Sequence, residues 1–210
     1  MWQEGPVGLV VTLRQVTALT RREQREQTRE RLLDGAMMAL VEHGYAGTTT
    51  QRVQERVGVS RGALLHHFSS KAELFAAAVH HIADMRIENI RAVAQRVGDG
   101  PNSLRQIVFA MHDSMTGPAF LAAMELWTAS RTDDELREAL LPAERRLGRA
   151  LREVFDRAAR IDDPETARTE LESLLALLRG LELGRIMRQD DAVAVAVIEQ
   201  WLDRFERDYQ

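Results

Sequence analysis

The stretch Thr48–Lys71, TTTQRVQERVGVSRGALLHHFSSK, constrains the fold more than any other part of this 210-residue chain. Thr48 and Gln51 have capping-box spacing, with Thr49 and Thr50 as alternative caps. Val53 and Val57, four apart, share one face of a short helix, and Gly58 ends it by adopting a left-handed conformation. Val59 fills the turn, and Ser60 caps a second helix whose inward edge is Leu64 and Phe68. At about 100° per residue, Arg61, Gly62, Leu65 and His66 fall on the outer side of that helix. Ser70 and Glu73 form a further capping box, so a third helix opens at Lys71. Helix, glycine-containing turn, helix is the helix-turn-helix pattern. Three helix starts so close together supply three sets of free backbone N–H groups. That arrangement suits gripping nucleic-acid phosphates while one helix lies in a groove.

The side chains assign themselves roles on the same chemistry. Arg61 is the candidate base reader, because a planar guanidinium fits guanine O6 and N7 for roughly 1–3 kcal/mol of discrimination; the alternative is a surface arginine in a salt bridge or on a phosphate. Gly62 and Ala63 allow close approach to a duplex. Leu65 fits a thymine methyl, although an exposed leucine is ordinary. Gln51 and Arg52, in the first turn of the preceding helix, are candidate backbone or base-edge contacts. Lys71 is the sole lysine against 27 arginines. A cation in a first helical turn opposes the macrodipole at a cost of roughly 0.3–1 kcal/mol, and a phosphate would make that placement favourable. Taken alone, it reads equally as a solvated surface lysine.

Charge is divided unevenly. The net charge is −4, yet residues 21–71 hold 9 basic and 6 acidic groups, while residues 72–210 hold 18 and 25. Only the first segment has the sign needed to meet DNA.

From about Arg22 to Phe75 the chain resembles the N-terminal domain of the TetR/AcrR family of transcriptional regulators. The matching features are a first helix, Gly44-Tyr45, the threonine-rich start of the second helix, the turn Gly58-Val59-Ser60, and the closing Phe68 and Lys71. The resemblance covers about a quarter of the chain. It implies an all-α, two-domain homodimer with Ser60–His67 as recognition helix and with Thr49, Thr50 and Lys71 on backbone phosphate. The family usually has a tyrosine after the recognition-helix leucine. Here that position is Leu65, which cannot hydrogen-bond phosphate, so the contact is lost or passes to His66 or His67.

Residues 1–20 precede the resemblance and read as a flexible arm or an upstream start; Val7–Leu13 is apolar but lacks the positive leader of a signal peptide. Arg22–His43 is one helix with Leu32, Leu33, Ala36, Met37 and Leu40 as its buried stripe and Gly44 at its end. The helix opening at Lys71 runs to about Val97, where Gly98-Asp99-Gly100-Pro101 breaks it. A long helix leaving the helix-turn-helix is a mechanical link to the rest of the chain. Residues 102–210 hold four or five more helices. One opens at Asn102 or Ser103 and ends near Met115, and another begins after Gly117-Pro118 and runs through Trp127. Asp133–Ile161 is amphipathic and kinked or interrupted at Pro142. Asp163-Pro164 starts a helix striped with Leu171, Leu174, Leu175, Leu178 and Leu181, and a last helix carries Val193, Val197, Ile198, Trp201, Leu202 and Phe205. The expected organisation is an arm (1–20), a helix-turn-helix DNA-binding domain (21–75) and a helical regulatory and dimerisation domain (76–210).

The last two helices, within about 164–208, are the expected homodimer interface, with Gly180 and Gly184 allowing close approach; the alternative is that they cover their own domain. Two recognition helices in successive major grooves, roughly 34–36 Å apart, imply a near-palindromic operator on double-stranded DNA. Phe109, Met111, His112, Met115, Phe120, Met124 and Trp127 gather adaptable side chains that would line an apolar effector pocket with His112 as polar anchor, or else form ordinary core. The expected function is a cytoplasmic repressor released by a small apolar ligand.

An enzyme built on His112 with Asp113 or Glu125 is not expected, since no phosphate loop, nucleophile elbow or His-x3-His pair is present. A helical adaptor using the motif for protein contacts is the alternative function. There are no cysteines and no apolar run of 18 residues, so disulfides, a zinc site and a membrane span are not expected. No cofactor is expected, and the pairs His66-His67 and His80-His81 point about 100° apart, which suits metal chelation poorly.

Overall fold

A computed structural model describes residues 20–188 and 192–209; the arm expected over residues 1–19 lies outside them. Thr20 itself starts the first helix. Its hydroxyl accepts the Glu23 N–H at 3.2 Å, and the Glu23 carboxylate accepts the Thr20 N–H at 2.7 Å, a reciprocal cap. Helix α1 (Arg21–Gly47) leaves helical geometry at Gly44, whose φ of 64° a side chain would resist, before a last short turn. Leu32, Leu33, Ala36 and Leu40 on its inner stripe are buried, while Met37 is only half-buried.

Helices α2 (Thr50–Val57) and α3 (Arg61–His67) form the helix-turn-helix against α1. Gly35 of α1 sets how closely α2 can sit. A Cβ there would stand 2.4 Å from Val57 Cγ2, and a β-branched valine has little rotameric freedom to withdraw. Gly35→Ala is therefore expected to destabilise the fold by about 1–3 kcal/mol from overpacking, less up to ~1 kcal/mol of gained helix propensity. Thermal unfolding checks this, and a variant more stable than the parent would mean that α2 shifts freely.

Helix α4 (Lys71–Val97) buries Leu74, Phe75, Ala78, Val79, Ile82, Ala83 and Ile90 and leads from the helix-turn-helix into the rest of the molecule. It packs most extensively on α7 (Asp134–Ala159) and also on α5 (Ser103–Ser114) and α6 (Gly117–Ser130). One continuous apolar core runs from Leu32 through α4 to Phe205. The division read at residue 75 falls inside α4, so the two parts of the molecule share that helix.

Helix α7 is continuous through Pro142, so of the kink or interruption expected there the interruption does not occur. Pro142 and Glu138, whose carbonyl the proline leaves without an N–H partner, are both exposed, so water can satisfy that group. Helix α6 continues three residues past Trp127, to Ser130. Helix α8 (Pro164–Arg188) starts at Asp163, which accepts the Thr166 N–H at 2.9 Å, and α9 (Ala192–Tyr209) comes after it. The leucine stripe of α8 faces its own chain: Leu171, Leu174, Leu175 and Leu178 are buried, against a core that includes Phe155 and Trp201. Ion pairs at the rim, Arg157 to Asp99, Arg91 to Glu153 and Arg146 to Asp84, are exposed and contribute little each. No described helix is long and apolar enough to cross a membrane.

Candidate nucleic-acid interface

The interface is built from three capped helix starts. Thr48 is not one of the caps: it is fully buried, with its hydroxyl 2.7 Å from Gly44 O and 2.9 Å from Ala39 O, pinning the chain to α1. Thr49 caps α2 by accepting the Arg52 N–H at 3.2 Å. Gly58 closes α2 in the left-handed region (φ 70°), where its N–H meets Gln54 O at 2.9 Å, and Arg31 of α1 donates to Val57 O at 2.7 Å. Ser60 caps α3, accepting the Ala63 N–H at 3.1 Å. At α4 half of the expected box forms. Ser70 accepts the Glu73 N–H at 3.0 Å, but the Glu73 carboxylate turns to Ser69, meeting its hydroxyl at 2.6 Å and its N–H at 2.7 Å. Those bonds hold the carboxyl below the usual range.

On α3, Leu64 points into the core, while Arg61, Gly62, Leu65 and His66 are exposed; Ala63 and His67 are half-buried. Arg61 and Leu65 share a cleft of about 490 Å³ with Thr49, Thr50, Gln51, Gln54 and Glu55 of the preceding segment. Nothing among the described residues requires a glycine at 62. A Cβ there would meet only Ser60 Oγ, at 4.0 Å, and φ is not in the left-handed region. The residue gives up helix propensity on an open face, as expected where another backbone must approach closely. Gln54 and Glu55 were not singled out from sequence, although Gln54 lies one turn beyond Thr50 on the same helix.

Several candidate contact residues are engaged within the chain. The Gln51 amide donates to Glu55 Oε1 at 2.8 Å, and Arg52 donates to Gly47 O. Burial, then the neighbouring His66, Arg25 and Arg29, hold the His67 imidazole below its usual range, which favours its neutral form. Lys71 is the most altered reading. Its ammonium lies 4.8 Å from the Tyr45 ring centroid and 5.2 Å from that of Phe75, and donates to Tyr45 O at 3.3 Å. The cation at the helix start is already compensated by two ring faces and a carbonyl. Burial lowers its pKa.

The Gly44-Tyr45 corner does more than begin a motif. The Tyr45 N–H donates to Glu125 of α6 at 3.3 Å, and its hydroxyl donates to Asp133, the α7 cap, at 2.9 Å. Burial and Asp133 push the phenol up to about 12, so it remains a donor at any physiological pH. Tyr45 thus joins the helix-turn-helix to α6 and α7, with Lys71 stacked on its ring. Glu125 is committed to this joint and lies apart from any pairing with His112, whose Nδ1 is 3.6 Å from Asp113 Oδ1. His80 meets Arg146 at 3.0 Å and His81 meets Asp34 at 3.2 Å, on separate partners.

The residues grouped as an effector pocket are placed differently from one another. Met111, Met115 and Phe120 are fully buried in the core; Phe109, His112 and Met124 are half-buried. Trp127 alone of them borders a small cavity between α4, α6 and α7, and its Nε1–H donates to Glu144 Oε1 at 2.8 Å. That cavity also exposes what the sequence reading missed, a buried Arg86. The signal was available, since Arg86 falls between Ile82 and Ile90 on the four-residue stripe that α4 buries.

Comparison with known proteins bears on both the helix-turn-helix and the helices that follow it. Residues 32–78 match the family model described as bacterial regulatory proteins, tetR family, and residues 102–207 match that of the BetI-type transcriptional repressor C-terminal domain. An uncharacterised HTH-type transcriptional regulator of Mycobacterium tuberculosis is 32% identical over 124 residues, 59% of this chain; the match spans 63% of that regulator's length. The HTH-type transcriptional repressor AcnR of Corynebacterium efficiens is 30% identical over 182 residues, covering 85% of this chain and 90% of the repressor. A crystal structure of a TetR-family transcriptional regulator from Agrobacterium tumefaciens superposes with a TM-score of 0.70 at 18% identity, covering 86% of this chain and 98% of that one. At that identity the likeness speaks for the fold alone.

Proposed function

The chain belongs to the TetR family of bacterial regulatory proteins, and from that membership we propose that it is a sequence-specific DNA-binding transcriptional regulator acting as a cytoplasmic homodimer. The observation that carries the reading is the outer face of α3. Arg61 has no hydrogen bond or ion pair among the described residues, Gly62 has open space above it, and Leu65 is 49% exposed. Arg61 and Leu65 project beside the capped start of α2. In the proposed complex α3 lies in the major groove. Arg61 reads a base, while Thr49, Thr50, Ser60 and the exposed His66 meet phosphates through hydroxyl, imidazole and helix-start N–H groups. Gln51, Arg52 and His67 join only by leaving or sharing the partners they hold. Lys71 contributes through the ammonium donors that Tyr45 O leaves free, which ties phosphate contact to the joint with α6 and α7.

The homodimer forms through α8 and α9, on a face other than the buried leucine stripe. Ser173, Ala176, Gly180, Leu183 and Met187 are exposed at alternating three- and four-residue spacing, the seam of a left-handed helix pair. A Cβ at Gly180 would meet nothing within 4 Å, so close approach is open there. The operator is a near-palindrome from which a small-molecule effector releases the protein, and repression accords with the naming of relatives such as AcnR as repressors.

Salt titration of duplex binding tests this reading. Affinity should fall linearly on a log–log scale with a slope of about −0.9 per phosphate contacted. Gly62→Ala should separate fold from function, raising helix stability by up to ~1 kcal/mol while weakening every duplex. Salt-independent affinity, or an alanine variant that binds as tightly as the parent, would contradict the placement of α3.

A further inference from the structure

Arg86 is 4% exposed, in the middle of the stripe that α4 presents to the core. Its Nε and Nη1 groups have no hydrogen-bond partner. Its guanidinium lies 5.4 Å from the Phe120 ring centroid and borders the cavity, of about 10 Å³, that Ile82, Leu126, Trp127, Glu144 and Leu147 also line. A second guanidinium, Arg179 of α8, sits 5.5 Å from the Trp127 ring with its buried Nε also unpartnered. The carboxylate at the cavity, Glu144, is turned to the Trp127 N–H. Burial pulls the Arg86 pKa down to about 10, Glu144 opposes that, and Arg179 adds to it. One buried cation and one half-buried cation thus face one carboxylate that already has a partner. Such a cluster is costly in the interior unless another anion completes it.

We propose that the space between Arg86, Arg179 and Trp127 is the binding site for a small organic carboxylate, whose charged end accepts the orphaned N–H groups and whose apolar remainder lies against Trp127, Ile82 and Leu126. The inference deepens the effector reading above, and rests on it for any consequence at DNA. It replaces the purely apolar ligand with an anion. A volume of about 10 Å³ holds no more than about one water, so the carboxylate must bind an arrangement in which α4 has moved relative to α6 and α7. Helix α4 starts at Lys71, in the Tyr45 joint, so the helix that opens the site also carries the first turn beside the recognition helix. A ligand with higher affinity for the open arrangement shifts the population towards it.

Thermal unfolding of the full-length protein tests the site without DNA. The probes are sodium benzoate, phenylacetate and the straight-chain mono- and dicarboxylates of two to six carbons. Each is compared with its neutral amide and with sodium chloride at matched ionic strength. At least one carboxylate is expected to raise Tm saturably, by about 5 °C or more at a hundred times its Kd, with no response to its amide. Arg86→Met should abolish the response while melting at or above the parent temperature, because it removes a buried charge without a partner. Arg91→Met, on the exposed face of the same helix, should respond as the parent does. Should the Arg86 variant not fold, Arg179→Met gives the same reading as a Kd at least tenfold weaker. The proposal is overturned if no carboxylate exceeds chloride, if amides act equally, or if the response survives removal of either arginine. Because no DNA is present, failure here leaves operator binding untouched, and failure to bind operator leaves this result standing.

Discussion

A protein carrying both Leu183→Glu and Met187→Glu is expected to be a folded monomer that binds its operator about 10²–10⁴-fold more weakly than the parent. Leu183 is 50% exposed and Met187 86% exposed; Ile186 near the end of α8, and Val193 and Val195 at the start of α9, are exposed as well. Leu183, Ile186 and Met187, at i, i+3 and i+4 on one face of α8, form a patch that a lone protomer would leave in water. The core has no need of them, since α8 buries Leu171, Leu174 and Leu178 on its other side. Glutamate at 183 and 187 would place unpaired charge in the desolvated centre of the proposed interface, where it costs several kcal/mol per group. A monomer reaches one half-site and loses the effective concentration that the second supplies. Sedimentation equilibrium with a gel-shift titration measures both effects. A variant that remains dimeric, or keeps parent affinity as a monomer, would place the interface elsewhere.

The second large effect is expected at Arg61. Arg61→Ala should relax preference at one base position in each half-site by roughly 1–3 kcal/mol, about 5- to 150-fold between the preferred base and the others. Binding to unrelated duplexes should change far less, because most of the non-specific affinity comes from phosphates. The fold should be unaffected, since Arg61 is exposed and supports no cap or ion pair among the described residues. Competition binding against a set of single-base operator variants measures the effect. A uniform loss across all of them would make Arg61 a phosphate contact.

The local architecture around these residues was legible in sequence because capping chemistry and helical period are short-range. Gly58, Ser60, Leu64 and Phe68 declared their positions by spacing alone. Features that depended on distant partners were not legible. The cap at Thr49 rather than Thr48 was settled by Thr48 reaching back to Ala39 O across a folded corner. Lys71 read as a cation waiting for an anion, because its ring partners Tyr45 and Phe75 are brought to it only by packing. Which face of α8 is left for a partner was not legible for a similar reason: periodicity reveals an apolar face but not whether the chain itself covers it. Arg86 was missed because apolar residues marked the α4 stripe, and a charge in that register was passed over.

The most direct measurement of the central claim is selection of bound sequences from a pool of random duplexes by the full-length protein. The account predicts enrichment of a near-palindrome with half-site centres roughly 34–36 Å apart, or a multiple of that spacing, as two α3 helices related by a twofold axis require. Arg61→Ala should broaden one symmetric pair of positions in the enriched site. A selected pool indistinguishable from the starting pool, or enrichment of a single unpaired half-site, would contradict it.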